Sequence, residues 1–177
     1  MCVPPKGGYA LFLMDFKIKP INEKDVPTII RLMADFAEYE RLSAFLVITE
    51  ERLRKAMFGE DAFVEGLIVF QSDKPVGYAI FYPCFSTFRG QRGMFLEDLY
   101  VTADCRGLGL GERMLREVAS VAAARGFERI DFHVLKWNKS AIGFYEKLGA
   151  VCSPEEAYFK FTDKAFRQLA AGQKRDR

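Results

Sequence analysis

The sequence predicts a single α/β domain, a mixed and mostly antiparallel twisted sheet flanked by helices. Runs with strand character interleave with helical stripes along the chain, and no repeat, low-complexity tract or linker divides it. The apolar run 94–101 leads directly into Arg106-Gly107-Leu108-Gly109-Leu110-Gly111, and an amphipathic helical pattern follows. With 177 residues, half of them hydrophobic, the chain can bury a full core without disulfide or metal staples.

Residues 1–15 fit neither helix nor strand. Val3-Pro4-Pro5-Lys6-Gly7-Gly8 precedes a short apolar stretch that lacks the charged leader and cleavage site of a signal peptide, so it reads as a poorly ordered N-terminal extension, with Met14 as an alternative start. Residues 17–20 form a short strand. Asn22 caps a helix whose Val26, Ile29, Ile30, Met33 and Phe36 make one apolar stripe, and Thr49 caps a second at 50–58. Three strands follow at 63–71, 76–82 and 94–101, the first two joined by the turn Ser72-Asp73-Lys74-Pro75; they predict an antiparallel meander. Met114, Leu115, Val118, Val121 and Ala122 mark the next helix, which Gly126 stops. Residues 129–135 predict a further strand, 140–147 a short helix, 157–161 a last strand and 172–177 a charged, frayed tail.

The glycine stretch carries the chemistry. Backbone N–H groups at a helix start lack intrahelical partners and sit at the positive end of the macrodipole, so the natural occupant is a phosphate or pyrophosphate. Arg106 adds a fixed positive charge. A nucleoside-triphosphate loop needs Lys and then Ser or Thr after its last glycine, whereas Glu112 and Arg113 stand here. A dinucleotide fingerprint begins at Gly107-x-Gly109 but meets Glu112 at its third small position. Asp131 stands where a ribose-binding acid belongs, yet only about 65 residues remain beyond the loop, too few for paired βαβ halves. A structural loop at a plain helix start is the remaining alternative.

Composition excludes several classes. The net charge of +2 and the absence of a Lys/Arg run give no reason to invoke nucleic acid. Cys2, Cys84, Cys105 and Cys152 lack C-x-x-C spacing, and His133 is the only histidine, so no metal site is expected. The cysteines read as free thiols of a reducing, cytoplasmic compartment, with Cys105 a passenger and His133 a packed or surface residue. No apolar run reaches the roughly 20 residues that span a bilayer.

Arg106-x-x-Gly109-x-Gly111 resembles the coenzyme A pyrophosphate loop of the GCN5-related N-acetyltransferase (GNAT) family. Downstream, the run from Trp137-Asn138 through Phe144-Tyr145 to Leu148-Gly149-Ala150 is similar to the family's second signature, an asparagine ending a strand and a short helix bearing a tyrosine. Leu96-Glu97-Asp98-Leu99-Tyr100-Val101 and Phe36-Ala37-Glu38-Tyr39-Glu40 resemble the diamine branch, whose members acetylate spermidine, spermine or thialysine. The likeness runs from about residue 16 to 170 and implies an N-acetyltransferase domain over 16–171, with coenzyme A in a cleft where two strands splay apart.

The resemblance implies an enzyme that moves an acetyl group from acetyl-coenzyme A to a primary amine of a small cationic substrate, without a metal and as a homodimer. It assigns the cofactor to the backbone at Leu99, Tyr100 and Val101, to the loop residues Arg106, Gly107, Leu108, Gly109, Leu110, Gly111 and Glu112, and to Asn138, Ser140, Ala141, Phe144 and Tyr145. Tyr145 is the candidate proton donor to the leaving thiolate, and Glu97 the candidate base. Tyr39, Glu40, Glu97 and Glu156 are the candidate amine contacts. Strand alternation puts Glu97 and Asp98 on opposite faces, so that one of them faces the reaction cleft. Local readings remain beside these: Tyr145 as a packing residue, Glu97 as a solvated strand residue, Asn138 and Ser140 as helix caps. Ser43 and Ala44 replace acids of the polyamine-acetylating members, as does Thr87, and Tyr158 replaces a tryptophan; a short diamine, or a lysine analogue with its carboxylate near Arg89 or Arg92, fits these departures. A nicotinamide-dependent oxidoreductase and a non-catalytic acyl-coenzyme A-binding module are the competing functions.

Overall fold

Strands β1 (Phe16–Pro20), β2 (Glu65–Gln71), β3 (Lys74–Ser86), β4 (Gln91–Val101) and β5 (Ile130–Asp131) pair in sequence order. The first four run antiparallel, and β5 lies parallel to β4. The computed structural model describes residues 15–172; the predicted N-terminal extension, apart from Asp15, and the tail beyond Gly172 lie outside the described residues. Residues up to His133 and those from Val134 onward form two compact units.

The first unit has three layers. Asn22 closes a capping box with Asp25, accepting from Lys24 N–H while its own N–H donates to the Asp25 carboxylate. It caps a single 3-10 turn, after which helix α1 (Val26–Tyr39) begins with Pro27, whose missing N–H costs nothing in the first helical turn. Thr49 Oγ1 accepts from Arg52 N–H and starts helix α2 (Glu50–Phe58) as the sequence predicts. Val26, Ile29, Leu32, Leu53 and Met57 of these helices pack with Ile68, Tyr78, Ile80 and Tyr100 on one face of the sheet. Helix α3 (Leu110–Ala124) covers the other face, where Leu110, Met114, Val118 and Ala122 meet Val69, Ala79, Phe81, Met94 and Leu96. Cys105 is 1 % exposed within this second core and serves as packing.

Two predicted strands change. The segment expected at 129–135 pairs with β4 only at Met94–Ile130 and Phe95–Asp131, so β4 continues from Leu96 without β5 beside it. The last predicted strand, 157–161, does not form. Tyr158, Phe159 and Phe161 are exposed, neither face of the segment is buried, and an extended run without a paired neighbour gains no ladder bonds. The second unit instead contains helix α4 (Lys139–Lys147) and helix α5 (Asp163–Ala170), the latter unanticipated from its single turn-spaced pair Phe166 and Leu169.

The β2–β3 pairing leaves no room at Gly66. A Cβ there would lie 2.6 Å from the Ala79 carbonyl oxygen and 2.5 Å from Ile21 Cδ1. Gly66→Ala is expected to lower unfolding stability by roughly 2 kcal/mol through overpacking. Urea denaturation measures it, and a loss below about 0.5 kcal/mol, the range of an ordinary surface substitution, would contradict the packing described.

Candidate active site

The decisive local feature is an extra residue in β4. Ile80 pairs with Asp98 and Phe81 with Leu96, so Glu97 has no partner on β3 and forms a bulge. The bulge resets the alternation: Leu96 and Leu99, three apart, both pack on the α3 side. The expectation that Glu97 and Asp98 face opposite ways therefore fails. Tyr78 and Tyr82, four apart on β3, hold both carboxylates on the α1 side. The Tyr78 phenol donates to Asp98 Oδ2 at 3.1 Å, and the Tyr82 phenol to Glu97 Oε2 at 2.8 Å.

Their environments differ. Asp98 is partly buried among Tyr78 and its neighbours, and this desolvation raises its pKa to about 6; the Tyr78 hydrogen bond opposes the rise, and the charges of Glu97 and Glu40 add to it. Glu40, the C-cap residue that follows α1, is also pushed up by burial. The negative charge of Asp98 in turn reinforces burial in holding the Tyr78 phenol well above its ordinary range. Three carboxylates from two elements thus lie within electrostatic reach on one face of the sheet. Tyr82 stacks on Phe95 at 5.3 Å, and Phe95 meets the edge of His133, a surface histidine.

A second site element lies where β4 ends. One 3-10 turn at 103–105 leads into the glycine loop, in which Gly107 and Gly109 take φ of +75° and +74°, a region favouring glycine. Gly109 is the N-cap of α3 and offers no side-chain acceptor, so the first-turn N–H groups are directed at whatever anion enters. At Gly107 and Gly109 a Cβ would meet nothing within 4 Å, as expected of a cradle open to a ligand. The Glu112 carboxylate pairs with Arg116 at 2.6 Å, which offsets a negative charge near that anion. Arg106 Nε donates to the Val101 carbonyl at 2.9 Å, and its guanidinium lies 4.1 Å from the Tyr39 ring centroid and 5.6 Å from that of Tyr100. Tyr39 thus meets the loop arginine as well as standing beside Glu40.

The remaining sequence candidates belong to the second unit. Asn138 Oδ1 accepts from Ala141 N–H at 3.1 Å and so caps α4, the local role read from the sequence. Ser140 and Ala141 lie in its first turn. Tyr145 is half-buried on the same helix, its ring edge-on to Phe144 with centroids 4.9 Å apart. Glu156 is exposed in the irregular stretch before α5. The sequence offered Asp98 only as one of several rim acids, and Tyr78 and Tyr82 were missed; their four-residue spacing opposite two adjacent acids was the available signal.

An anion-receptive helix start next to a face lined with carboxylates equips a group-transfer enzyme, one that takes a phosphate-bearing donor and a cationic acceptor. A profile of the Acetyltransferase (GNAT) family matches residues 28–150. The thialysine N-epsilon-acetyltransferase of Bos taurus is 38% identical over 164 residues, which cover 86% of this chain and 96% of that one. Spermidine/spermine N(1)-acetyltransferase-like protein 1 of Homo sapiens is 31% identical over 88% of this chain and 24% of its own length. An integron cassette protein from the mobile metagenome of V. cholerae superposes with a TM-score of 0.75 at 23% identity, covering 89% of this chain and 98% of that one, and shares the fold. The chain belongs to the GNAT acetyltransferase family and is an amine N-acetyltransferase. The oxidoreductase alternative is not supported. Members of the family use acetyl-coenzyme A. Among the described residues no helix is long and apolar enough to cross a membrane, and no group of three His, Cys, Asp or Glu is placed to hold a metal.

The raised pKa of Asp98 has a stability signature. Its folded value, about 6, lies above the ordinary 3.8, so the native state binds this proton more tightly than the unfolded chain. That contribution is complete below the ordinary value and is lost as pH rises through 6. Asp98→Asn should therefore be more stable than the wild type at pH 8, by roughly 1–3 kcal/mol, and nearly equal to it at pH 4. Urea unfolding at both pH values checks this; a difference independent of pH would contradict the assigned environment.

Proposed function

We propose that the enzyme acetylates the terminal amine of a short cationic acceptor, a lysine analogue or diamine, in preference to a long polyamine, with acetyl-coenzyme A as donor. The observation that carries this reading is the cluster of Glu40, Glu97 and Asp98 on one face of the sheet. Three carboxylates make a strong site for one or two ammonium groups. The thialysine-acetylating relative at 38% identity supports the shorter acceptor, as do Ser43 and Ala44, where polyamine-acetylating members carry acids. Arg89 and Arg92, exposed on the β3–β4 hairpin, are the candidates for an acceptor's own carboxylate.

Bound acetyl-coenzyme A supplies a thioester whose carbonyl carbon takes the amine's lone pair and whose C–S bond then breaks. The loop from Arg106 to Gly111, with Glu112, holds the pyrophosphate through main-chain N–H groups. The backbone at Leu99, Tyr100 and Val101, on a strand that β5 leaves after Phe95, aligns the pantetheine arm as an added strand would. Asn138, Ser140, Ala141 and Phe144 complete the cofactor contacts. An alkylamine of pKa near 10.4 is mostly ammonium at neutral pH, so a proton must leave before attack. Glu97, at the bulge, accepts it through water, while Tyr39, Glu40, Asp98 and Glu156 hold the cationic substrate. Tyr145 donates to the departing sulfur, lowering the barrier by hydrogen bonding even without complete transfer.

A homodimer is proposed on the same resemblance. It is supported by the unusual exposure of Val151, Phe159 and Phe161, at 92, 84 and 64%. Sedimentation equilibrium at micromolar concentration should then give twice the 20.2 kDa chain mass; a monomer would remove the dimer from the proposal.

Thiol release from acetyl-coenzyme A with putrescine, spermidine, spermine, lysine, thialysine and a lysine peptide tests the acceptor. A short acceptor should give the highest kcat/KM, and Tyr145→Phe and Glu97→Gln should each lower it about tenfold or more. Equal turnover of spermine and thialysine would overturn the substrate assignment, and full activity in both variants would overturn the catalytic one.

A further inference from the structure

Arg106 does not project freely from the glycine loop. Its Nε–H is spent on the Val101 carbonyl at 2.9 Å, and its guanidinium carbon lies over the Tyr39 ring, 4.1 Å from the centroid, and 5.6 Å from the centroid of Tyr100. Tyr39 is the last residue of α1, so the arginine also sits near the negative end of that helix's dipole. Phe36, one turn earlier, packs on Tyr100 at 5.3 Å and fixes the second ring. A solvent-exposed arginine ordinarily samples many rotamers, and ordering it on ligand binding costs affinity. Here an aromatic platform contributed from about 67 residues upstream holds the guanidinium through contacts within the chain itself.

We propose that Tyr39 is a positioning residue for the donor site: it holds the Arg106 guanidinium in place beside the phosphate-binding loop and so sets the affinity for the pyrophosphate of coenzyme A. This rests on the reading of the 106–111 loop as the pyrophosphate site. It gives Tyr39 a role separate from the amine contact implied by its neighbour Glu40, and ties the end of α1 to both substrates. The ring face, not the hydroxyl, makes the contact with the guanidinium, because the attraction is between the cation and the π electrons.

Calorimetric titration of the full chain with coenzyme A and, separately, with pantetheine, which lacks the pyrophosphate, tests this. Tyr39→Ala should raise the Kd for coenzyme A about three- to tenfold and leave that for pantetheine within about twofold of wild type, while Tyr39→Phe, which keeps the ring, should restore coenzyme A binding. Equal weakening toward both ligands would mean a merely structural role and overturn the proposal. Tighter coenzyme A binding by Tyr39→Ala would also overturn it, because the stack would then compete with the phosphate for the arginine. If wild type bound coenzyme A no more tightly than pantetheine, the loop would not be the pyrophosphate site, and the reading beneath the proposal would fall with it.

Discussion

One inserted residue in β4 fixes what this fold can do. A regular strand would send adjacent side chains to opposite faces, giving either an acid in the apolar layer beneath α3 or a single carboxylate on the α1 side. With Glu97 bulged, Leu96 and Leu99 both reach the α3 core and both acids turn toward Tyr78 and Tyr82. The same strand therefore serves as a packing element on one face and a charged one on the other. The bulge lies just beyond the point where β5 leaves β4, so β4 loses its parallel neighbour and its strict alternation over the same few residues.

Bringing two sequence-adjacent carboxylates to one face has an electrostatic cost that the structure partly offsets. Each receives a phenolic hydrogen bond, which favours the ionised form, yet burial still holds Asp98 nearer neutrality than an exposed aspartate. A cationic ligand entering such a cluster removes the repulsion and gains the attraction at once. The glycine loop has the opposite polarity, with a helix start that lacks a side-chain cap and a clamped arginine. Neighbouring residues at one end of α1 serve the two: Glu40 adds its charge to the acid cluster, and Tyr39 meets the loop arginine.

The sequence made much of this legible, and the failures have identifiable causes. Helix α2 and the start of α3 follow from Thr49 and from the glycine loop, because caps and glycines act through local geometry. The β2–β3–β4 meander was visible because its strands are long, β-branched and separated by turns. The bulge was not, since an inserted residue changes phase without changing composition, and only the unequal pairing with β3 reveals it. Glu97 and Asp98 were therefore expected on opposite faces rather than together. The shortened strand at 130–131 and the unformed one at 157–161 failed for another reason: apolar residues predict extended backbone, whereas a strand exists only where a neighbour accepts its hydrogen bonds.

Under the proposed assignment, the acid cluster faces a conflict between binding and chemistry. Carboxylates attract the ammonium form and so raise the amine's pKa, while attack on the thioester requires the neutral amine. A fully ionised trio would bind the acceptor well and deprotonate it poorly. The unequal burial of the carboxylates eases the conflict. Burial disfavours the charged form of Asp98, whereas Glu97 stands on the exposed side, where an accepted proton can pass to solvent. A cluster of three equally exposed acids would lack that gradient. The bulge produces the asymmetry, by seating one of two adjacent carboxylates against Tyr78 and the other at the surface beside Tyr82.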